Sequence, residues 1–165
     1  MPVLYVETSA LTKHYRRESG SEAVNLLFAG TSFEHRLAVS FLSLVEFAGL
    51  VTRLRRGAAL GENEAFGIMS RFSNDCLTLD IVPLTNSTLE AALEIAANHG
   101  LKALDSIHLA TMAELRRASL MAGATFAAVS ADKELCAAAK LEGIDTLNPE
   151  DQGALERLRE MRSGT

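Results

Sequence analysis

Apolar residues recur along this chain in two rhythms, short unbroken runs and longer stretches with a helical period. The short runs are rich in β-branched and aromatic residues. They predict strands at Val3–Val6, Leu37–Ser40, Ile81–Leu84, Phe126–Ser130 and Asp145–Leu147. The stretches between them predict helices. One covers Ala10–Arg17 behind a Thr8-Ser9 cap, and another runs from Ser21-Glu22 to Phe28 or Ala29 with Gly30 as its stop. The clearest carries Leu42, Val45, Phe47, Ala48, Leu50, Val51 and Leu54 on a broad apolar face. Arg53-Leu-Arg-Arg-Gly57 supplies its basic last turn and glycine stop. Further helices are expected over Ala65–Leu77, over Leu89–Asn98 between Asn86-Ser-Thr and Gly100, from Asp105 to about Leu115, and over Lys133–Leu141 before Gly143. Strands alternating with helices in this way imply an α/β fold with a mostly parallel sheet. The pattern shows no internal repeat and no linker, so one domain is expected over residues 1–149. The polar tail over 150–165, with Glu156-Arg-Leu-Arg-Glu, reads as an exposed helix, a frayed end or a partner contact.

Composition narrows the class. At 165 residues the chain can close a core without disulfides or a structural metal. A hydrophobic fraction of 48% with 22% charge excludes a disordered chain, and no apolar run approaches the roughly 18 residues of a membrane span. The first residues read as a strand rather than as an export signal, which makes the cytosol the expected compartment. Cys76 and Cys136 lack any CxxC or Cys/His spacing and read as small apolar residues. A net charge of −5 argues against a protein that coats nucleic acid nonspecifically. The charge is uneven, however. Residues 1–60 carry seven Lys/Arg against five acids, a balance of +2, and the remainder carry nine against sixteen, a balance of −7. A phosphate-bearing partner would meet the N-terminal third first.

Four acids stand in apolar surroundings where an unpaired carboxylate is costly. They are Glu7 after the first strand, Glu46 between Val45 and Phe47, Asp105 at a helix start, and Asp132 just after the strand Phe126–Ser130. Ligands of open parallel sheets bind beyond the carboxyl ends of the strands, which makes Glu7 and Asp132 expected neighbours. Each acid also has a plainer reading. Asp105 suits an N-cap, and Glu46 suits an edge residue paired with an arginine such as Arg53. Together, a cluster of carboxylates can hold a hard divalent cation such as Mg²⁺ or Mn²⁺, which takes oxygen ligands and substrate phosphate oxygens. Thr8, Ser9 and Ser130 flank two of the acids and could orient water or phosphate, or cap helices and turns. His108 lies three residues after Asp105, and packing against the sheet is its plainer role.

The string Leu4-Tyr-Val-Glu-Thr-Ser-Ala-Leu-Thr-Lys13 resembles the opening of PIN-domain ribonucleases of the VapC toxin type. Ser43-Leu-Val-Glu-Phe-Ala48 is similar to the second acidic motif of that family, and His99-Gly-Leu-Lys-Ala-Leu-Asp-Ser-Ile-His-Leu-Ala-Thr111 to the third. Val129-Ser-Ala-Asp-Lys-Glu-Leu135 resembles the fourth, and Asn148-Pro149 fits the usual end of the domain. The resemblance implies a Rossmann-like α/β/α sandwich and a Mg²⁺- or Mn²⁺-dependent endoribonuclease of a toxin–antitoxin system. It further implies a homodimer that a small antitoxin inhibits. It makes Glu46, Asp105 and Asp132 metal ligands and puts Glu7 at the position of the first family aspartate. Lys13, His14, Arg16 and Arg17 then become candidate RNA-phosphate contacts.

Glu7 is the departure from that pattern. Glutamate keeps the charge and adds one methylene, which moves the carboxylate by roughly 1–1.5 Å, and misplacement of about 1 Å can cost about 10²-fold in a site that works by positioning. The sequence therefore leaves two readings open. One is a metal-dependent endoribonuclease; the other is an inactive module of the same fold that binds an antitoxin or RNA. A third, an aspartyl-phosphate enzyme, is disfavoured because Glu7-Thr-Ser offers neither a nucleophilic aspartate nor a second acid two residues on.

Overall fold

In the computed structural model, which describes residues 1–29 and 35–163, five strands form one sheet in the order β3-β2-β1-β4-β5. The strands are β1 (Val3–Val6), β2 (Arg36–Ser40), β3 (Asp80–Val82), β4 (Phe126–Val129) and β5 (Thr146–Leu147), and every pairing is parallel. β1 is central and buried on both faces, which is why it reads as an unbroken apolar run. β3 is shorter than the pattern Ile81–Leu84 predicts. Pro83 has no N–H to give the ladder, so pairing ends at Val82.

Helices cover both faces and make an α/β/α sandwich. On one side lie α1 (Thr8–Tyr15), α2 (Ser21–Phe28), α3 (Phe41–Arg56), α4 (Glu62–Asp75) and α8 (Ala154–Ser163), packed on Leu4, Val6 and Val39. On the other lie α6 (Ala103–Met121) and α7 (Lys133–Leu141), packed on Val3, Tyr5, Ala38 and Ala128, with α5 (Asn86–His99) against α6. The alternation of β1 decides this division. Val3 and Tyr5 face one core, Leu4 and Val6 the other.

Several helix ends differ from the sequence expectation. Glu7, rather than Thr8 or Ser9, caps α1, its carboxylate accepting from the Ser9 amide. Asp105 is not a cap: α6 starts at Ala103, which places Asp105 inside its first turn. α6 also runs on to Met121, because no breaker intervenes before Gly123 at φ +70°. α4 starts at Glu62, where two glutamates in the first turn suit its positive end. Gly30, expected to stop α2, lies outside the described residues. Among those residues no helix is long and apolar enough to cross a membrane.

The polar tail is helical, one of the forms expected, but it is docked rather than exposed. It forms α8, which docks on α2, and Leu158 is 0% exposed with Ala154 at 5%. A second contact holds the preceding segment. Gly20, at φ +81°, caps α2 so close to Pro149 that an added Cβ would lie 2.8 Å from the Pro149 carbonyl oxygen. Lys13 adds an ion pair to Glu150 at 2.7 Å. Leu158→Ala should therefore cost about 2–5 kcal/mol of stability in urea unfolding, the range for emptying a buried leucine site. A loss below about 0.5 kcal/mol, the scale of a neutral surface substitution, would show that α8 is not docked in solution.

Candidate metal centre at the ends of strands β1 and β4

The sheet order reverses at β1, with β2 on one side and β4 on the other, so a crevice opens beyond the carboxyl ends of β1 and β4. Register sets what meets there. Val6 pairs with Val129, and the Glu7 amide donates to the Val129 carbonyl at 3.0 Å. The next residue on each strand therefore faces the other: Ser130 Oγ donates to Glu7 Oε2 at 2.7 Å. Ser9 Oγ donates to the same oxygen at 2.5 Å, and the Ser9 amide to Oε1 at 3.0 Å. Three donors hold this carboxylate, which is only 6% exposed. The seryl hydroxyls thus orient Glu7 itself.

Glu46 enters from α3, which follows β2 directly. Its Oε2 accepts from Thr8 Oγ1 at 2.5 Å and from His108 Nε2 at 2.8 Å. Its side-chain partner is His108 on α6, through this hydrogen bond, instead of the expected Arg53. Arg53 still acts at a distance, lying back against Gly49, where an added Cβ would be 3.1 Å from its guanidinium. Burial by itself would raise the Glu46 carboxyl. The hydrogen bonds from His108 and Thr8, with the charges of His108 and Arg53, outweigh it and hold the group below the ordinary range.

His108 was assigned packing as its plainer role, and it is indeed buried, at 1% exposure. It is nevertheless part of the centre. Besides Glu46 it meets Tyr5 Oη at 2.7 Å through Nδ1, and its Nε2 lies 3.9 Å from Glu7 Oε1. Ligand-capable atoms of Glu7, Glu46 and His108 all fall within 4.8 Å of one another. Tyr5 went unnoticed in the sequence. The available signal was the strand period, which puts Tyr5 on the same side of β1 as Glu7.

Asp132 caps α7, accepting from the Leu135 amide at 2.9 Å, and the Ser130 hydroxyl accepts from its own amide at 3.1 Å. Asp105 is felt through charge. Burial raises its carboxyl first, and the negative charges of Asp132 and Glu7 raise it further, against a smaller pull from His108 and Lys102. All four predicted acids thus belong to one electrostatic neighbourhood, with Glu7 and Glu46 in its inner wall. The donor set fits Mg²⁺ or Mn²⁺: hard carboxylate oxygens in mutual repulsion, which a divalent cation would relieve.

Two candidate contacts change. Lys13 is 5% exposed, with its ammonium on Glu150 and Glu18, so it is not free to meet phosphate. His14 stacks on Phe28 at 3.9 Å and bonds Asn25. Arg16 and Arg17 remain exposed at the far end of α1.

The raised Asp105 carboxyl sets the sign of a pH effect. The folded state binds this proton more tightly than the unfolded chain, so the group's ionisation costs stability as pH rises through the carboxylate range. Asp105→Asn should therefore raise the Tm of the metal-free protein at pH 7. The difference should vanish at a pH of about 2–3, where the aspartate is neutral in both states. A lower Tm for the variant at pH 7 in chelator would contradict this electrostatic picture.

The PIN domain family model matches residues 4–141. Among solved structures, the chain resembles FitAcB from Neisseria gonorrhoeae with a TM-score of 0.64 and 18% identity, covering 90% of this chain and 99% of that one. PAE2754 from Pyrobaculum aerophilum aligns with a TM-score of 0.62 and 19% identity, over 99% of this chain and 98% of that one. A toxin–antitoxin complex from Klebsiella pneumoniae aligns with a TM-score of 0.60 and 16% identity, over 90% and 99% respectively. No curated protein sequence matches the chain. Likeness at these identities speaks to fold alone, but the family match spans most of the sequence and includes Glu7, Glu46, Asp105 and Asp132: the chain belongs to the PIN domain family.

Proposed function

We propose that this protein is a toxin-type endoribonuclease that hydrolyses RNA phosphodiesters with Mg²⁺ or Mn²⁺ held by Glu7, Glu46, Asp105 and Asp132. The observation that carries the reading is the pair Glu7 and Glu46 at the β1/β4 switch point, with oxygens within 4.8 Å, hydroxyl and imidazole donors orienting both, and Asp105 within reach of the Asp132 and Glu7 charges. A divalent ion bound there would activate a water and neutralise charge on the phosphodiester. The chain's own residues do the rest. Ser9 and Ser130 fix Glu7, Thr8 and His108 fix Glu46, and Asp105 and Asp132 complete the negative wall. Arg16 and Arg17, exposed one short helix away from Glu7, are placed to meet RNA phosphates.

We assign the nuclease domain to residues 1–149, with 150–165 as a C-terminal extension of which α8 docks upon it, and place the protein in the cytosol. A small antitoxin is the proposed partner, supported by the structural neighbour from Klebsiella pneumoniae, which is a toxin–antitoxin complex. A homodimer is the proposed assembly. An apolar groove of about 400 Å³ between α5 and α6, lined by Leu89, Leu93, Ala96 and Ile107, supports a protein contact on that face.

One observation favours a second reading. The Glu7 carboxylate is already met by three donors and caps α1, the arrangement of a structural group. On that reading the chain is an inactive PIN-fold module that binds antitoxin or RNA. The two separate in a side-by-side RNA cleavage assay of the unaltered protein and Glu7→Asp with added Mn²⁺. The nuclease reading expects metal-dependent cleavage that Glu46→Gln lowers by at least about 10²-fold, the scale of a misplaced site. Cleavage by Glu7→Asp alone would identify a nuclease disarmed at position 7. Absence of cleavage and of Mn²⁺ binding in both proteins would leave the binding module.

A further inference from the structure

Both nitrogens of the buried His108 ring are engaged, and the order of the bonds decides where its proton sits. Tyr5 is 0% exposed. Nε2 faces Glu46 Oε2 at 2.8 Å, and a carboxylate oxygen can only accept, so the ring hydrogen lies on Nε2. Nδ1 is then the acceptor, and the Tyr5 hydroxyl at 2.7 Å donates to it. The opposite tautomer would aim a lone pair at a carboxylate oxygen.

The second consequence concerns the carboxylate. Thr8 Oγ1 and His108 Nε2 both donate to Oε2, one hydrogen bond for each of its lone pairs. Oε1 takes part in neither bond. The relay also links three elements that deliver acids to the centre. Tyr5 lies two residues before Glu7 on the same edge of β1, His108 lies one turn after Asp105 on α6, and Glu46 is on α3.

We propose that Tyr5 and His108 are positioning residues that hold Glu46 through Oε2 and thereby present Oε1 as its single metal-binding oxygen. The inference rests on the reading of Glu46 as a metal ligand. A hydrogen-bond partner behind a ligand commonly changes metal affinity by 10–100-fold. The relay differs from direct ligation by His108, because Nε2 is committed to Glu46.

The test uses the full chain in two measurements. In the metal-free protein, ¹⁵N shifts of the histidine rings should show His108 as the Nε2–H tautomer. Tyr5→Phe, which keeps the ring in the core and removes the hydroxyl, should convert it to a mixture. In Mn²⁺ titrations followed by electron paramagnetic resonance, Tyr5→Phe and His108→Ala should each weaken binding by about 10–100-fold. His108→Gln, which restores an N–H donor toward Glu46, should recover part of the loss. Circular dichroism checks that each variant is folded, and Tyr5→Phe carries the test if His108→Ala is not. Unchanged Mn²⁺ affinity in folded variants, or an Nδ1–H tautomer in the unaltered protein, overturns the proposal. So does direct ¹⁴N coupling of His108 to bound Mn²⁺. An unaltered protein with the expected tautomer and no Mn²⁺ binding would instead remove Glu46 as a ligand, and the positioning role would fall with it.

Discussion

Like-charge repulsion is the constraint around which the rest of this structure is arranged. An oxygen of Glu7 and one of Glu46 lie within 4.8 Å, and Asp105 feels the charges of Asp132 and Glu7. Two unit charges at that separation repel by roughly 3–4 kcal/mol at an effective dielectric near 20, more than one ordinary hydrogen bond returns at about 1 kcal/mol. A single neutral donor could not hold such a pair. Five charge-assisted donors do: the Ser9 amide and hydroxyl and the Ser130 hydroxyl on Glu7, and Thr8 and His108 on Glu46. Each kind is stronger than its neutral counterpart. The β1/β4 register is what allows this, since it sets Ser130 opposite Glu7 on adjacent strands of a buried parallel pair.

The same argument separates what the sequence disclosed from what it did not. Strand β1 and helices α3 and α7 were legible because local period and stop signals agree with the fold, as with Gly57 after Arg53–Arg56 or Gly143 after Lys133–Leu141. The placement of Glu7 and Asp132 was legible for a related reason: each follows a strand, and parallel sheets gather such positions at one edge. Long-range pairings were not. Glu46 has both an arginine-rich stretch further along α3, at Arg53, Arg55 and Arg56, and a histidine 62 residues away, and only the fold shows that the histidine wins. Lys13 looks like an exposed cation on a short helix, yet Glu150 buries it from the far end of the chain. Leu158 sits in a run of charged residues, and one apolar side chain per turn carries too little periodicity to reveal that α8 docks.

Identity of 16–19% with structures of TM-score about 0.6 has a physical meaning here. A doubly covered parallel sheet needs apolar residues of about the right size, and volume-conserving exchanges among Val, Ile, Leu and Ala are tolerated in cores. The sequence can drift far while strand order and register persist. The crevice at β1 and β4 is less tolerant, because its donors must reach given oxygen atoms. The fold is therefore shared at low identity.

Position 7 is where one side chain ties most of the centre together. Asp is a favoured N-cap residue and its short side chain bonds the helix amides beside it. Glutamate at the same place keeps that bond, to the Ser9 amide, and its added methylene carries the second oxygen across to Ser130 on the neighbouring strand. The longer side chain thus joins β1, α1 and the β4 edge through one carboxylate, a stronger structural tie than a cap alone. It also spends lone pairs on the scaffold. Oε2 accepts two hydroxyls, which leaves Oε1, with one amide bond and His108 Nε2 at 3.9 Å, as the oxygen with capacity to spare. Glu46 is held in the parallel way, through Oε2, with Oε1 outside its hydrogen bonds. Both inner carboxylates therefore carry two hydrogen bonds on Oε2. These donors offset the repulsion between Glu7 and Glu46, whereas the Asp105 carboxyl rises under burial first and then under the charges of Asp132 and Glu7.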